Sequence, residues 1–204
     1  LEKCSHVVDL AFCMVGSRVR RVASFGGLDF FLPRNRGRIE EIGTGANGEK
    51  AYCAWRGLIG LDPFGSDKDI VDNQVAILEY ENGVRATFHT NCNAAIPERR
   101  MYLLGTEGSL RADVLRGTIE MKRIGFDTQI EDFSTGKRGG HGGGDAVLAA
   151  ELAGSMLHRR SPAVGLMEGL DSAVTCFAID EAMDTGTVVD LERYWSRIEV
   201  DDDA

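Results

Sequence analysis

The chain opens with the stretch EKCSHVVDLAFCMVG, residues 2–16. The pattern predicts a helix that ends at Gly16, since glycine is the usual residue at a helix C-terminus. After the second turn of this helix almost every side chain is apolar, so the helix is expected to be buried on most sides. Spacings of four and three put Glu2, His6 and Asp9 on one stripe of this helix. An acid, an imidazole and a second acid on a buried helix form either a local hydrogen-bond network or the wall of a site.

Composition limits the classes of partner. The chain has 204 residues and a net charge of −9, and its basic residues form no cluster interleaved with aromatics, which argues against nucleic acid and anionic membranes as partners. No apolar run approaches the roughly 20 residues of a membrane span. The five dispersed cysteines lack a C-x-x-C pair, which favours free thiols in the cytoplasm over a disulfide scaffold or a zinc site. Lys3 lies beside Cys4 in the sequence, and a neighbouring positive charge favours the thiolate form of cysteine. Cys4 is therefore either a nucleophile or a thiol packed in the interior.

The first residue, Leu1, is not an initiator methionine. We therefore expect the chain to be part of a longer protein, with an upstream segment that holds half of the active site.

Hydrophobic alternation predicts a series of strands joined by short turns, of which Asn82-Gly83 is the clearest. The predicted strands span residues 18–25, 73–81, 84–93, 99–104, 109–114, 118–124, 129–133 and 188–191, and the later helices span 146–160 and 166–184. Consecutive hairpins predict one antiparallel meander with helices on one face, hence an α+β fold. The other face is expected to carry Ile77, Tyr80, Phe88 and Met101 outward as an oligomer surface.

Two regions depart from this regularity. Periodicity disappears between residues 28 and about 70, which predicts an irregular insertion: a lid, an interface arm or a partly disordered loop. The acidic residues 199–204 are expected to form a frayed tail.

Two polar groupings are further candidates. On the strand 84–93, His89 and Asn91 point away from Phe88, Thr90 and Cys92. The stretch GGHGGGD, residues 139–145, precedes a helix; its last residue, Asp145, suits an N-cap, and the glycines around His141 free the imidazole to point inward. The run lacks the spacing of a dinucleotide-binding or phosphate-binding loop.

Together these motifs resemble a known family. The EKCSHxxD helix, the GTEGSL hairpin at 105–110, the HGGGD helix entry at 141–145 and the ending GTVVDL at 186–191 are similar to the C-terminal domain of the glucose–fructose oxidoreductase, inositol dehydrogenase and rhizopine-catabolism (Gfo/Idh/MocA) family. The resemblance spans nearly the whole chain. It implies a dihydrodipicolinate-reductase-like α+β domain, residues 1–204, that binds substrate and builds oligomers, while the Rossmann domain is absent from this chain.

The resemblance also implies hydride transfer between NAD or NADP and a hydroxyl-bearing carbon of a sugar, cyclitol or related polyol. The nicotinamide cofactor is expected to bind mainly to the missing domain, with no cofactor-binding or metal-binding residue here. His6 matches the family's general base, Glu2 stands where many members carry aspartate, and Lys3 is a possible electrophilic or proton-relaying partner. His141 and Asp145 resemble a substrate-facing segment, and Asn91 is added to the substrate-binding set.

Other interpretations remain open. The chain alone is expected to be inactive, so a non-catalytic sugar-binding or oligomerising module is the first alternative, and a homodimer or homotetramer through the sheet face is expected in either case. A metal-dependent hydrolase with His6, Asp9, His141 and Asp145 as ligands is the second, although the sequence contains no H-x-H or H-E-x-x-H spacing.

Overall fold

The computed structural model describes residues 4–53, 62–136 and 143–198. Its elements in chain order are α1 (Ser5–Val15), β1 (Val19–Gly27), a short 3-10 helix (Pro33–Asn35), α2 (Arg38–Ile42), β2 (Asn73–Tyr80), β3 (Arg85–Asn91), β4 (Arg100–Leu104), β5 (Gly108–Asp113), β6 (Thr118–Arg123), β7 (Ile130–Asp132), α3 (Gly144–His158), α4 (Leu166–Thr185), β8 (Val189–Asp190) and α5 (Glu192–Ile198). None of the described helices has the length and apolar character needed to cross a membrane.

The chain divides into two compact units, Leu1–Asn93 with Leu166–Ala204, and Ala94–Gly165. The first contains the sheet β3-β2-β1-β8 and the second the sheet β4-β5-β6-β7, both antiparallel. The predicted α+β class with mainly antiparallel strands is confirmed. The expected single meander, however, is divided into two sheets, because the connection 92–99 lacks alternation and contains Pro97, which has no N–H to donate to a ladder.

Helix α4 covers the inner face of the first sheet. Ala178 and Ala182 are fully buried, so the helix backbone approaches β1 closely. The core of this unit is made by apolar residues from β1, β2, α4 and α5, with single residues from other segments: Val8, Val19, Val22, Ala76, Leu78, Tyr80, Val174, Cys176, Ala178, Ile179, Ala182, Val189, Leu191 and Trp195.

Helix α1 ends as predicted but is less buried than predicted. Gly16 adopts a left-handed conformation with φ of 64° and donates its N–H to the Phe12 carbonyl, so the glycine cap is confirmed. Only Val8 of this helix is buried, while Leu10 and Met14 are 37% and 40% exposed. The prediction of burial on most sides was wrong, because α1 packs along α4 and leaves its other sides open.

The outer face of the first sheet is apolar, but of the four residues predicted to lie on it only Ile77 does so. Ile77 points outward, whereas Tyr80 is 2% exposed and lies in the core, since it falls on the opposite side of the strand alternation. Phe88 also packs against the core, and Met101 is half-buried in the second sheet. The neighbours of Ile77 on the outer face are Phe25 and Val75, which are paired across β1 and β2.

The irregular segment between β1 and β2 is held by one buried carboxylate. Asp72 accepts hydrogen bonds from the main-chain N–H groups of Asp29, Phe30 and Phe31 at 3.1, 2.8 and 2.7 Å. Burial alone acts to raise the pKa of Asp72, but these bonds and one from Asn73 outweigh burial and lower it.

Four aromatic rings complete this segment. Phe30, Phe31, Tyr52 and Phe64 contact one another with ring centroids 5.0–6.0 Å apart, and Phe64 is fully buried. The described part of the segment is thus a small aromatic cluster fixed to the sheet by Asp72.

We predict that Asp72→Asn lowers the free energy of unfolding by about 2 kcal/mol at pH 7, because an amide accepts the three N–H bonds less strongly than a carboxylate. The folded-state pKa of Asp72 is depressed, so its stabilisation is present above the unfolded-state pKa and is lost as the pH falls through the folded-state value. The difference between wild type and variant should therefore shrink below pH 4. Urea unfolding across this range measures it, with Asp67→Asn, an exposed acid, as the control. An unchanged difference at low pH would contradict the assignment.

Candidate functional site

His6 lies in the first turn of α1 with its side chain exposed to solvent. Within the described part of the chain the structure gives its imidazole no hydrogen bond and no ion pair. An accessible imidazole without a competing donor or acceptor is suited to accept a proton from a bound molecule. Chemically, this is the most capable group on the helix.

Asp9 holds the helix in place. Its carboxylate accepts a hydrogen bond of 3.0 Å from the Ser172 hydroxyl on α4, and Ser172 is buried. Val8, the neighbouring residue, enters the core beside α4. The stripe predicted from the sequence therefore divides by role: Asp9 is a structural partner, and His6 is left free toward solvent.

Sequence reasoning missed the groups that fix this helix pair. Ser172 lies 163 residues after Asp9 along the chain, and no local pattern links them. Near Ser172, the Arg18 Nε lies 3.0 Å from the Asp171 carboxylate, and its guanidinium stacks on Trp195 at 4.2 Å. Burial raises the pKa of Asp171, and the attraction of Arg18 only partly opposes this effect.

Of the remaining predicted site residues, only Asn91 and Asp145 belong to the described part of the chain. Glu2, Lys3 and His141 lie outside the described residues. Asn91 is exposed on the outer face of the first sheet, whereas α4 covers the inner face, and the Asn91 side-chain oxygen accepts the N–H of Asn93 at 2.8 Å.

Asp145 belongs to the second unit. It is exposed in the first turn of α3. The predicted N-cap role was wrong, because Gly143 takes the cap position with φ of 97°, a conformation that favours glycine.

Two kinds of binding arrangement were sought among the described residues: a cluster of metal ligands and a parallel dinucleotide-binding unit. No group of three or more His, Cys, Asp or Glu side chains within residues 4–53, 62–136 and 143–198 is arranged to hold a metal ion. Both described sheets are antiparallel, so these residues contain no strand–helix–strand unit of the parallel kind that binds dinucleotides. An open depression of about 360 Å³ in the second unit is lined by Leu103, residues 105–110, Met121 and Arg123. It contains none of the predicted site residues.

The fold defines an α+β domain with antiparallel sheets and helices. The family model described as "GFO/IDH/MocA C-terminal domain" matches residues 1–111, more than half of the chain. The chain therefore belongs to this family. No match was found among curated proteins.

Solved structures of similar fold are oxidoreductases. Levoglucosan dehydrogenase in complex with NADH superposes with a TM-score of 0.68 at 16% identity, over 93% of this chain and 49% of that chain. An oxidoreductase domain protein from Kribbella flavida gives 0.65 at 14%, over 93% and 48%. UDP-N-acetylglucosamine 3-dehydrogenase from Acidithiobacillus ferrooxidans gives 0.61 at 14%, over 89% and 46%. The chain therefore spans about half the length of these neighbours.

We predict that His6→Ala changes the free energy of unfolding by less than about 0.5 kcal/mol, because the side chain is exposed and makes no described contact. Val8→Ala, two residues along the same helix, should cost about 2 kcal/mol because Val8 is 4% exposed in the core. Chemical unfolding of both variants tests this contrast. A loss in His6→Ala as large as that in Val8→Ala would mean that His6 has a structural role.

Proposed function

We propose that this chain is the substrate-binding half of an NAD(P)-dependent oxidoreductase that moves hydride between nicotinamide and a hydroxyl-bearing carbon of a sugar, cyclitol or related polyol. The observation that carries the proposal is His6, which is exposed and has no partner among residues 4–53, 62–136 and 143–198, on a helix fixed by Asp9 and Ser172. Family membership supports the reaction class.

His6 acts as the general base in this proposal. Oxidation of a secondary alcohol releases the hydroxyl proton as the hydride leaves, and a neutral imidazole accepts that proton near pH 7. The bond between Asp9 and Ser172, one turn further along α1, fixes the helix that carries the imidazole. Glu2 and Lys3, at the start of the same stretch, are proposed to orient His6 or to contact the reacting hydroxyl.

Substrate recognition is proposed to involve His141, Asp145 and Asn91. Carboxylate, imidazole and amide groups make directional hydrogen bonds to hydroxyls, so such a site discriminates strongly against analogues that lack a hydroxyl. Sugar chemistry is supported by the neighbours in complex with levoglucosan and with L-sorbose. The NADH in those complexes supports a nicotinamide cofactor, and we propose that it binds mainly outside these residues.

A cytoplasmic location is part of the proposal. Its support is that the five cysteines are free in the structure, as expected of a protein in a reducing compartment.

We expect His6→Ala to lower kcat for NAD(P)-linked oxidation of a polyol by about 10²–10⁴-fold in the longer protein, the range for loss of a general base. The experiment screens a panel of sugars and polyols with wild type and variant side by side. The matched control is His158→Ala, which removes an exposed histidine in the last turn of α3 and should retain activity.

Two results would overturn the proposal. Full activity in His6→Ala would remove the general base. Turnover by residues 1–204 alone would mean that the chain needs no separate nucleotide-binding segment.

We also propose that the outer face of the first sheet, formed by Phe25, Val75 and Ile77, joins two copies of the protein. These side chains are 73%, 47% and 53% exposed, which is unusual for neighbouring large apolar residues. The exposed apolar face equally supports the alternative of a non-catalytic oligomerising or sugar-binding module. The activity assay above distinguishes an enzyme from such a module.

Ile77→Lys is expected to reduce the molar mass in solution to that of a monomer, because two buried ammonium groups would face each other across a twofold interface. Light scattering after size exclusion gives the mass directly. Ile42→Lys, which changes an isoleucine that is 62% exposed on α2, serves as the control and should retain the oligomer. A wild type that is already monomeric at micromolar concentration would contradict the interface.

A further inference from the structure

Asn82 makes a contact that its role in the turn between β2 and β3 does not require. Its side-chain oxygen accepts the N–H of Val84 at 3.1 Å, and Gly83 has a positive φ of 84°, so the turn predicted from the sequence is formed. The side-chain amide points elsewhere. It donates a hydrogen bond of 3.2 Å to the carbonyl of Val15, the last residue of α1.

Two further bonds join the same turn to the residues that follow α1. The Ser17 hydroxyl oxygen accepts the main-chain N–H of Asn82 at 3.2 Å, and the Arg18 carbonyl accepts the N–H of Glu81 at 3.0 Å. The last carbonyl groups of a helix have no donor within the helix, so the Asn82 amide satisfies one of them from another segment. The end of α1 is therefore attached to a turn that lies 67 residues away along the chain.

Helix α1 thus has two polar attachments at different places along its axis. Asp9 accepts the Ser172 hydroxyl at 3.0 Å near the middle of the helix, and Val15 accepts the Asn82 amide at its end. At 1.5 Å per residue these points are about 9 Å apart, and His6 lies about 4.5 Å from Asp9 on the opposite side. A shift of about 1 Å at Val15, with Asp9 as the pivot, therefore moves His6 by about 0.5 Å.

We propose that Asn82 is a positioning residue for His6 and acts through the direction of the α1 axis. The inference rests on the proposed function, in which His6 is the general base. A general base must lie within hydrogen-bond distance of the proton that it accepts, and a misplacement of about 1 Å can lower the rate about a hundredfold. A smaller displacement of His6 should lower kcat while the base is still present.

The variant Asn82→Asp removes the donor and little else. A carboxylate oxygen can still accept the N–H of Val84, and the main-chain N–H of residue 82 can still donate to Ser17, so the turn is retained. The bond to Val15 is lost, because a carboxylate has no hydrogen to donate. A negative charge also comes to lie at the C-terminal end of α1, where the helix dipole repels it.

Asn47→Asp is the matched control. Asn47 is also exposed and is also followed by a glycine with a positive φ, Gly48. Its side-chain oxygen accepts the N–H of Glu49 at 3.2 Å and its side-chain amide donates to the Glu49 carboxylate at 2.8 Å, so both bonds stay within the turn. The two variants therefore make the same chemical change in similar turns, and only one of them removes a bond to α1.

Both variants are compared with wild type in the longer protein used for the activity assay. In Asn82→Asp we expect amide hydrogen exchange in peptides that cover residues 12–16 to be about threefold faster or more. We expect kcat to fall by about three- to tenfold with KM within about twofold of wild type. The pH midpoint of kcat should not move, because the new charge lies about 13 Å along the axis from His6, beyond the Debye length of about 8 Å. Asn47→Asp should leave all these quantities unchanged.

Three results would overturn the positioning role of Asn82. Unchanged exchange in Asn82→Asp would mean that the amide does not hold α1. Faster exchange with unchanged kcat would mean that the bond stabilises the helix end without placing His6. A shifted pH midpoint would mean that the new charge acts on His6 directly.

Failure of the proposed function is a different result. It would appear as a wild type that oxidises no compound of the panel with NAD(P). Hydrogen exchange needs no turnover, so faster exchange in Asn82→Asp would then still support the hold of Asn82 on α1, and unchanged exchange would overturn it.

Discussion

The packing of α4 on the inner face of the first sheet is the contact on which the rest of this unit depends. Ala178 and Ala182 have no exposed surface, so the helix approaches β1 as closely as its backbone allows. Every other helix of the core is attached through this contact: α1 through Asp9 and Ser172, and α5 through Trp195 and the Arg18–Asp171 pair. A larger residue at either alanine would move α4 and, with it, the helix that carries His6.

This arrangement separates the residues that stabilise one short helix from the residue that is proposed to act on substrate. Val8 and Asp9 face α4 and fix α1, while His6 faces solvent and contributes no described contact. A proton acceptor needs both conditions, since a mobile imidazole loses orientation and a bonded imidazole loses its free nitrogen. The spacing of His6 and Val8 meets both, because two positions along a helix separate their side chains by about 200° around the axis.

Much of the fold could be predicted because its signals are local. The Asn82-Gly83 turn, the glycine at position 16 and the alternation along β2 and β3 each depend on residues within a few positions. The division into two sheets was not predicted, because which strands pair is decided by long-range contacts that a periodic pattern does not encode. Ser172 was missed for the same reason, because its partner Asp9 is close only in space. His6 was singled out because the resemblance to a family supplied what spacing alone left open, and its role as a base stays a proposal.

Asp72 illustrates how much a single long-range contact can organise. Residues 28–70 contain little periodicity, and the sequence allowed a lid, an arm or disorder. In the structure one carboxylate accepts three main-chain N–H groups from residues 29–31, which turns Phe30 and Phe31 onto Tyr52 and Phe64. Main-chain N–H groups that are removed from water need a hydrogen-bond acceptor, and no helix or strand among the described residues supplies one to residues 29–31. The carbonyl of the same residue accepts the N–H of Cys92, so the order of the segment and the end of β3 share one anchor. A change at Asp72 should therefore affect the end of β3 as well as the segment that Asp72 holds.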